Sequence, residues 1–459
     1  MTEAEQIRPN AEPGRFPLTE RVMKKSKYNE TVLLPHPHPG ERKWLLYNFF
    51  TERFLTLSDE EKALFDAFPA AQLPDGFRER LEKDGFLTDT DETELLRQRT
   101  LKNMRRPESR HVKLTLCPTM DCNFACPYCI ETGQKFKGKM SAETMENTVK
   151  FAEKLMDAAQ AKKLFITWYG GEPLLAMDEI EYLSGRFGAL CAARNAKYSA
   201  GILTNGYLLD ARAMLRLSRC GVNYYRVTVD GPAPVHDKRR VLKGGGPTYD
   251  RIMKNLEGLL TDHTIEIRCN VSRSSLGGIE QLARDVEALK ERTGNNIILT
   301  FAKMLVCRGV PEELRGDMLT EKEFADFVLT QRDELWLRND YRSGLPCAAC
   351  ARYDFCIDSR GDICKCSGSL GQKEHRLANV SEFPSEEMLF THPESRSLRE
   401  KAFPTNPECL KCKLLPRCMG ACPLDDGIAS VKNCNRYRLH PKELILRLYK
   451  AREQEENPV

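Results

Sequence analysis

The sequence predicts an α/β protein: a parallel sheet built from six β-α units, a small α+β module ahead of it and a cysteine-rich domain behind it. Three observations carry this. Between Lys113 and Met304, six apolar β-like runs alternate with stretches of helical length and period. Ahead of them, short β-like runs and two short helical patterns fall between Tyr28 and Leu96. Behind them, ten of the chain's eighteen cysteines crowd between Cys347 and Cys434.

A chain of 459 residues exceeds what one hydrophobic core usually serves, so two or three domains are expected. The formal charge is +4, from 70 basic and 66 acidic residues, which points to neither a nucleic-acid nor a membrane partner. Met1-Thr-Glu-Ala-Glu5 does not read as an export signal, and no apolar run approaches the roughly 18 residues of a membrane span. Eighteen cysteines without an export signal indicate metal or redox chemistry in a reducing cytoplasm rather than a disulfide framework.

In chain order, residues 1–27 read as a loose N-terminal segment and 28–110 as the first module. Its β-like runs are Glu30–Leu34 and Lys43–Phe49, separated by the turn-rich His36-Pro-His-Pro-Gly40, and Arg53–Leu57. Ser58-Asp-Glu-Glu61 is a helix cap ahead of the periodic Leu64, Phe65 and Phe68. A second helix, Asp75–Lys83, leads to Gly85-Phe-Leu87. Strands followed by short helices predict a winged-helix-like unit.

Residues 111–318 carry the alternation. Its strands are expected at Lys113–Thr119, Leu164–Tyr169, Ser199–Thr204, Tyr224–Val229, Ile265–Val271 and Ile297–Met304. Its helices are expected at Ser141–Ala159, Met177–Arg194, Asp210–Cys220, Thr248–Thr261 and Gly277–Glu291. Right-handed β-α-β crossovers make such a sheet parallel and place chemistry at the C-terminal ends of its strands. A helical bridge (319–345), the cysteine-rich domain (346–440) and a terminal helix with its tail (441–459) complete the chain.

The chemistry is concentrated just after the first of the six runs, at Cys122-Asn-Phe-Ala-Cys126-Pro-Tyr-Cys129. Three thiolates this close hold three irons of a 4Fe–4S cube and leave the fourth iron open. C-x3-C-x2-C is not a usual zinc spacing, and no histidine follows nearby. Trp168-Tyr-Gly170-Gly171-Glu172-Pro173 follows the second run; its glycines permit a close backbone approach and Glu172 supplies a carboxylate for a cation. The fourth run ends in Thr228-Val-Asp230-Gly231, with His236-Asp237 and Arg239-Arg240 beyond. Thr204-Asn205-Gly206 and Arg268-Cys-Asn270 lie at corresponding ends of the third and fifth runs, with a turn and a buried polar pair as their default readings.

These motifs resemble the radical S-adenosylmethionine (SAM) superfamily, which implies a partial (β/α)6 barrel. In that family the amino and carboxylate groups of SAM chelate the open iron of a cluster held as by Cys122, Cys126 and Cys129, with an aromatic side chain such as Tyr128 near the adenine. The resemblance carries Gly170, Gly171 and Glu172 to the SAM amino group. It carries Thr228 and an arginine, Arg239 or its neighbour Arg240, to the ribose and carboxylate, as in peptide-modifying members.

The second cysteine pattern, Gly361-x4-Cys366 followed by Cys409-x2-Cys412-x5-Cys418-x3-Cys422-x11-Cys434, is similar to the SPASM extension of that superfamily. The resemblance implies two auxiliary 4Fe–4S clusters, one on Cys350, Cys356, Cys366 and Cys422, the other on Cys409, Cys412, Cys418 and Cys434. Cys347 and Cys364 compete for the first. With the SAM-binding cluster, that makes three clusters and SAM as cofactors.

What the resemblance implies for function is reductive SAM cleavage to a 5′-deoxyadenosyl radical that takes hydrogen from a ribosomally made precursor peptide, forming a thioether or carbon–carbon cross-link. A low-potential donor such as flavodoxin or ferredoxin would supply the electron. The first module is then either a leader-peptide recognition element or a structural cap. The runner-up is an anaerobic sulfatase-maturing enzyme, whose family pattern places an aspartate after the last cysteine of the first SPASM half; this chain has Ser367. A non-catalytic iron–sulfur scaffold is the third reading.

Overall fold

The structure is a computed structural model, and it describes residues 22–35, 42–105, 110–131, 138–259, 262–304, 312–331, 347–401, 403–405, 407–418 and 440–456. The chain divides between Leu95 and Leu96 into two compact units.

In the first unit, β1 (Lys24–Lys25) pairs with β5 (Leu87–Thr88), while β2 (Asn29–Leu33), β3 (Trp44–Asn48) and β4 (Arg53–Leu57) form an antiparallel sheet with β3 in the middle. The three longer strands fall within a residue or two of the expected runs. Ser58 caps the helix Asp59–Ala67: its hydroxyl accepts from Glu61 N at 3.1 Å while the Glu61 carboxylate accepts from Ser58 N at 3.1 Å. Such a cap contributes about 1 kcal/mol. This helix and Asp75–Lys83 bury Phe65, Phe77 and Leu81 with Leu46 and Leu57 of the sheet. The two-residue ribbon β1–β5 was not expected; it is too short for periodicity to register.

Among the described residues the second unit holds one sheet of nine strands. Its parallel part runs in sequence order: β6 (His111–Leu116), β7 (Lys163–Trp168), β8 (Lys197–Thr204), β9 (Val222–Thr228), β10 (Thr264–Val271) and β11 (Ile297–Lys303). The helices Ala142–Ala159, Met177–Ala193, Ala211–Arg219, Tyr249–Glu257 and Ile279–Thr293 fill the crossovers where the alternation predicts them. Side chains alternate across each strand. Val112, Leu114 and Leu116, with Ile166, Trp168, Ile202, Tyr225 and Val227, are buried on one face of the sheet, the face the helices cover. The other face is polar: Thr115 pairs with Thr167, Arg226 with Glu266 and Arg268 with Thr300.

The cysteine-rich half shares this sheet. β12 (Asp354–Ile357) runs parallel to β6, and β13 (Asp362–Cys364) and β14 (Ala378–Asn379) follow antiparallel. Gly361 makes the β12–β13 turn at φ +85°, where a Cβ would lie 2.6 Å from Val380 Cγ2. That turn residue is therefore glycine for a backbone reason. Of the expected bridge, the helix Glu321–Thr330 is described, and its end beyond 331 lies outside the described residues. The terminal helix spans Pro441–Glu456.

Candidate active site

The three-cysteine loop leaves the C-terminal end of β6 and is gripped from the end of β7. Gly171 N donates to Thr119 O at 3.3 Å and Glu172 N to Asp121 O at 2.8 Å. Built Cβ atoms on Gly170 and Gly171 would lie 2.3 Å from Thr119 O and 2.1 Å from Asp121 O. Their missing side chains thus admit the backbone of the cysteine loop itself. The Glu172 carboxylate, fully buried, accepts from Leu174 N (3.1 Å), Thr204 Oγ1 (2.7 Å) and Asn205 N (2.8 Å). Burial raises its pKa while those three donors pull it back. It ties the ends of β7 and β8 together, and the tied Asn205 side chain reaches Asn123 Oδ1 at 2.7 Å and Cys122 Sγ at 3.9 Å.

On the other side of the loop stands a buried polar group. The Tyr128 hydroxyl donates to the Asp230 carboxylate and accepts from Arg240 Nη1 at 2.7 Å. Asp230 also accepts from Asn270 N at 3.0 Å and Asn270 Nδ2 at 3.1 Å. His236 accepts from Asp230 N at Nδ1 (3.2 Å) and meets Thr248 Oγ1 at Nε2 (3.1 Å). Burial pushes the Tyr128 phenol well up, against the pull of Arg240. Burial alone would lower the pKa of Arg240, but Tyr128, Cys126 and Asp230 around it leave it raised. Cys126 is pushed up to about 11 by burial, with Arg240 opposing and Cys129 and Cys122 adding to the rise. Thr228 ends β9, half-buried, beside Arg268 of β10.

The two arginines that the sequence leaves open make different contacts, and Arg239 turns away from the cysteine loop. Its guanidinium donates to Asn270 O (3.3 Å), to the Ser272 hydroxyl and to Asp317 (2.9 Å). Arg239 ends the helix Ala233–Arg239 and Arg240 caps it, and successive residues there turn about 100° apart. The helix therefore sends the second arginine, not the first, to the cysteine loop.

In the C-terminal half, Cys356 and Cys364 lie directly opposite each other on β12 and β13 and pack with Cys117, Met120 and Leu370 in one buried cluster. Cys350 is buried with its thiol on Leu398 O at 3.4 Å, Cys347 is exposed, and Cys366 Sγ accepts from Gly368 N at 3.4 Å. Cys409, Cys412 and Cys418 are half-exposed, Cys409 and Cys418 on two short helical turns and Cys412 between them. Cys422 and Cys434 lie outside the described residues.

Residues 116–261 match the Radical SAM superfamily. The chain carries a radical SAM domain. It is 23% identical over 354 residues to a serine-type anaerobic sulfatase-maturating enzyme of Bacteroides thetaiotaomicron, spanning 66% of this chain and 80% of that one. Among solved structures, native anSMEcpe with bound AdoMet and the Kp18Cys peptide superposes at a TM-score of 0.59, with 21% identity, over 76% of this chain and all of that one. SuiB of Streptococcus suis bound to S-adenosylmethionine gives 0.50, with 18% identity, over 83% and 92%. The parallel sheet is thus a radical SAM core, the cysteine-rich half is consistent with SPASM, and a chain carrying that domain is an enzyme.

A radical SAM domain implies a 4Fe–4S cluster and SAM. The donor set of the loop fits the cluster: Cys126 lies within electrostatic range of Cys129 and Cys122, Cys122 Sγ accepts from Phe124 N at 3.3 Å, and Arg240 brings a cation beside Cys126. Among the described residues no three His, Cys, Asp or Glu side chains converge on one point as a single metal ion requires. A cube instead spreads its ligand sulfurs over separate corners. The sequence shows Asp230 only as part of Thr228-Val-Asp230-Gly231 and Asn270 only as an end of the fifth run, with no role for either; the hydrogen bonds between them bring them to the site.

Proposed function

We propose that this enzyme is a peptide maturase that abstracts hydrogen from a residue of a ribosomally made precursor and forms a thioether or carbon–carbon cross-link. Bound at Cys122, Cys126 and Cys129, the cluster and SAM would supply the carbon-centred radical that takes the hydrogen. The chain's own residues do the rest. Arg240 offers a guanidinium to an anionic group beside the cysteine loop, Tyr128 and Asp230 fix that guanidinium, and Glu172 holds the strand ends so that the loop keeps its place. Gly170 and Gly171 serve the loop backbone, so their contribution to SAM binding runs through the loop's position.

The two auxiliary clusters, on Cys350, Cys356, Cys366 and Cys422 and on Cys409, Cys412, Cys418 and Cys434, would pass on the electron left on the substrate. Cys364 rivals Cys366, because it packs with Cys356 and Cys117. A low-potential flavodoxin or ferredoxin would serve as donor, in the cytoplasm. No helix among the described residues is long and apolar enough to cross a membrane.

The observation that carries the cross-linking reading is Ser367. A hydroxyl there supplies no base at ordinary pH, where sulfatase maturases place an aspartate after the cysteine. The sulfatase-maturase reading stays as the second, favoured by the relative matched over 80% of its length. Mass spectrometry decides between them. The reconstituted enzyme, SAM and dithionite are mixed with a short cysteine-rich peptide encoded beside the gene, or with a sulfatase-type peptide. A cross-linked precursor, short of a pair of hydrogens, supports the first reading; formylglycine in the sulfatase peptide alone overturns it.

A further inference from the structure

The polar face of the parallel sheet carries two arginines on neighbouring strands, and their surroundings differ. Arg226 of β9 is fully engaged: Nε donates to Glu266 at 2.9 Å and Nη2 to the Tyr224 hydroxyl at 3.0 Å, while Thr300 donates to the other Glu266 oxygen at 2.7 Å. Arg268 of β10 stands beside Thr228 and two residues before Asn270, both at the strand ends that carry the site. Among the described residues its guanidinium makes one hydrogen bond, from Nε to Asn270 Oδ1, at a long 3.4 Å, and no ion pair. Asn270 is itself held by Asp230. The charges nearest Arg268 are Arg226, Glu266 and Asp230, with Tyr169 of β7's end also in range, and burial together with Arg226 lowers its pKa.

The two terminal nitrogens make no hydrogen bond within the described residues and are not among the buried unpartnered atoms, so this half-buried guanidinium presents an accessible, partly desolvated charge that favours an anionic ligand. Its planar fork matches one class of partner best, a carboxylate held by two parallel hydrogen bonds. Glu266 is taken by Arg226 and Thr300, and Asp230 by Tyr128, Arg240 and Asn270, so the neighbouring acids are already spoken for.

We propose that Arg268 is a substrate-binding residue that receives a carboxylate of the peptide, from an acidic side chain or from the peptide's C-terminus. The inference rests on the peptide-maturase reading and narrows it to substrates that present an anion to the polar face of the sheet.

The test uses the full-length, anaerobically reconstituted enzyme in the presence of SAM. Calorimetric titration compares N-acetyl-glutamate α-amide, N-acetyl-glutamine amide and N-acetyl-alanine with a free carboxylate. A charge-assisted bidentate contact gives about tenfold or more in affinity, so one acid probe binds at least about tenfold more tightly than the neutral amide. Preference for the glutamate probe identifies an acidic side chain, and preference for acetyl-alanine identifies the C-terminus. Arg268→Gln abolishes the preference, and Arg268→Lys, which keeps the charge and loses the fork, retains part of it; the lysine variant decides if the glutamine variant fails to fold. Equal binding of all three probes, or an undiminished preference in the variants, overturns the proposal. So does an Arg268→Gln enzyme whose SAM affinity falls as much as its acid affinity, since the guanidinium then serves SAM. A precursor cross-linked equally well after its carboxylates are amidated removes Arg268 from substrate binding and leaves the maturase reading standing. Failure of every peptide to be modified removes the maturase reading itself.

Discussion

Arg240 donates to the Tyr128 hydroxyl at 2.7 Å, across 112 positions of sequence. The bond joins the loop after the first strand of the radical SAM core to the helix that follows the fourth, and Asp230 closes the group with a 3.8 Å ion pair to Arg240. A guanidinium held by two side chains is pre-organised, so less of its entropy is lost when it takes an anion. Arg239 sits one residue away with a structural job, which makes the pair an internal control.

Arg240→Gln is therefore expected to weaken SAM binding by about tenfold or more, the worth of a lost charge-assisted contact. Arg239→Gln should leave SAM affinity within a few-fold and lower the melting temperature instead, because Asp317 and Ser272 lose their partner. Calorimetric SAM affinity and melting curves on both variants check this. A larger SAM defect in the Arg239 variant would return that residue to the site.

Gly171→Ala places a methyl group where Asp121 O now stands, 2.1 Å away. Backbone cannot yield as a flexible side chain does, so the cysteine loop must shift. The expected result is reduced iron at the SAM-binding cluster and a SAM-cleavage rate down by at least about tenfold, as sub-ångström misplacement of reacting groups commonly costs. Normal iron content and turnover would show that the loop tolerates displacement.

His236 makes stability pH-dependent. It is buried, Nδ1 accepts from Asp230 N and Thr248 Oγ1 donates to Arg240 O, so the ring proton sits on Nε2 facing Thr248. Burial, with Arg240 nearby, lowers its pKa from 6.5 to about 4. The unfolded chain therefore binds a proton that the folded chain refuses between those values, and stability is lost as pH falls from about 6.5 to about 4, on the order of 3 kcal/mol in all. Above pH 6.5 the group contributes no slope. Melting temperatures of wild type and His236→Gln over this window should converge toward the acid end; parallel curves would show that another group controls the acid limb.

Iron content tests the cysteine-rich half. Replacing Cys412 is expected to remove about one 4Fe–4S cluster's worth of iron and to destabilise the fold through coupled ligation. Cys126→Ala should stop 5′-deoxyadenosine formation and leave the remaining iron. Reconstituted wild type holding only about four irons would refute the auxiliary clusters.

Much of this was legible in the sequence because it rests on short-range pattern. The six strands follow from the apolar alternation, and Ser58 with Glu61 announces its own cap. The cysteine loop and Gly170-Gly171-Glu172 read directly as motifs, yet the partner of the glycines did not: a sequence shows that a close approach is allowed, not what approaches. Arg239 against Arg240 depended on the phase of one short helix, which periodicity cannot fix to a single residue. The parallel pairing of β12 with β6 joins Cys356 to the neighbourhood of Cys117 across more than two hundred residues, beyond the range of any local signal. In the first unit no run of residues announces which strand lies at an edge; the pairing puts β3 between β2 and β4.

That strand order sharpens the last prediction. If the first unit takes a leader peptide by strand addition, the edge must come from β2 or β4. On β2, the hydrogen bonds Leu34 N to Lys43 O (3.0 Å) and Phe49 N to Tyr28 O (3.0 Å) fix the phase of the ladder, so the even-numbered residues face β3. The N–H groups of Thr31 and Leu33 therefore point away from it, and the Leu33 side chain is 41% exposed. Leu33→Pro removes one outward donor while sparing the bonds to β3, a change an edge strand accommodates. The expected outcome is a rise of about tenfold in the dissociation constant of the precursor peptide, from one lost main-chain bond and the blocked register beside it. The fold of the unit should survive, as read by its circular dichroism. Titration of wild type and variant with the same precursor gives the answer. Equal affinity would leave β2 without a role in recognition. Equal affinity after a matching proline on β4 would reduce the whole first unit to a structural cap and move the sulfatase-maturase reading to the front.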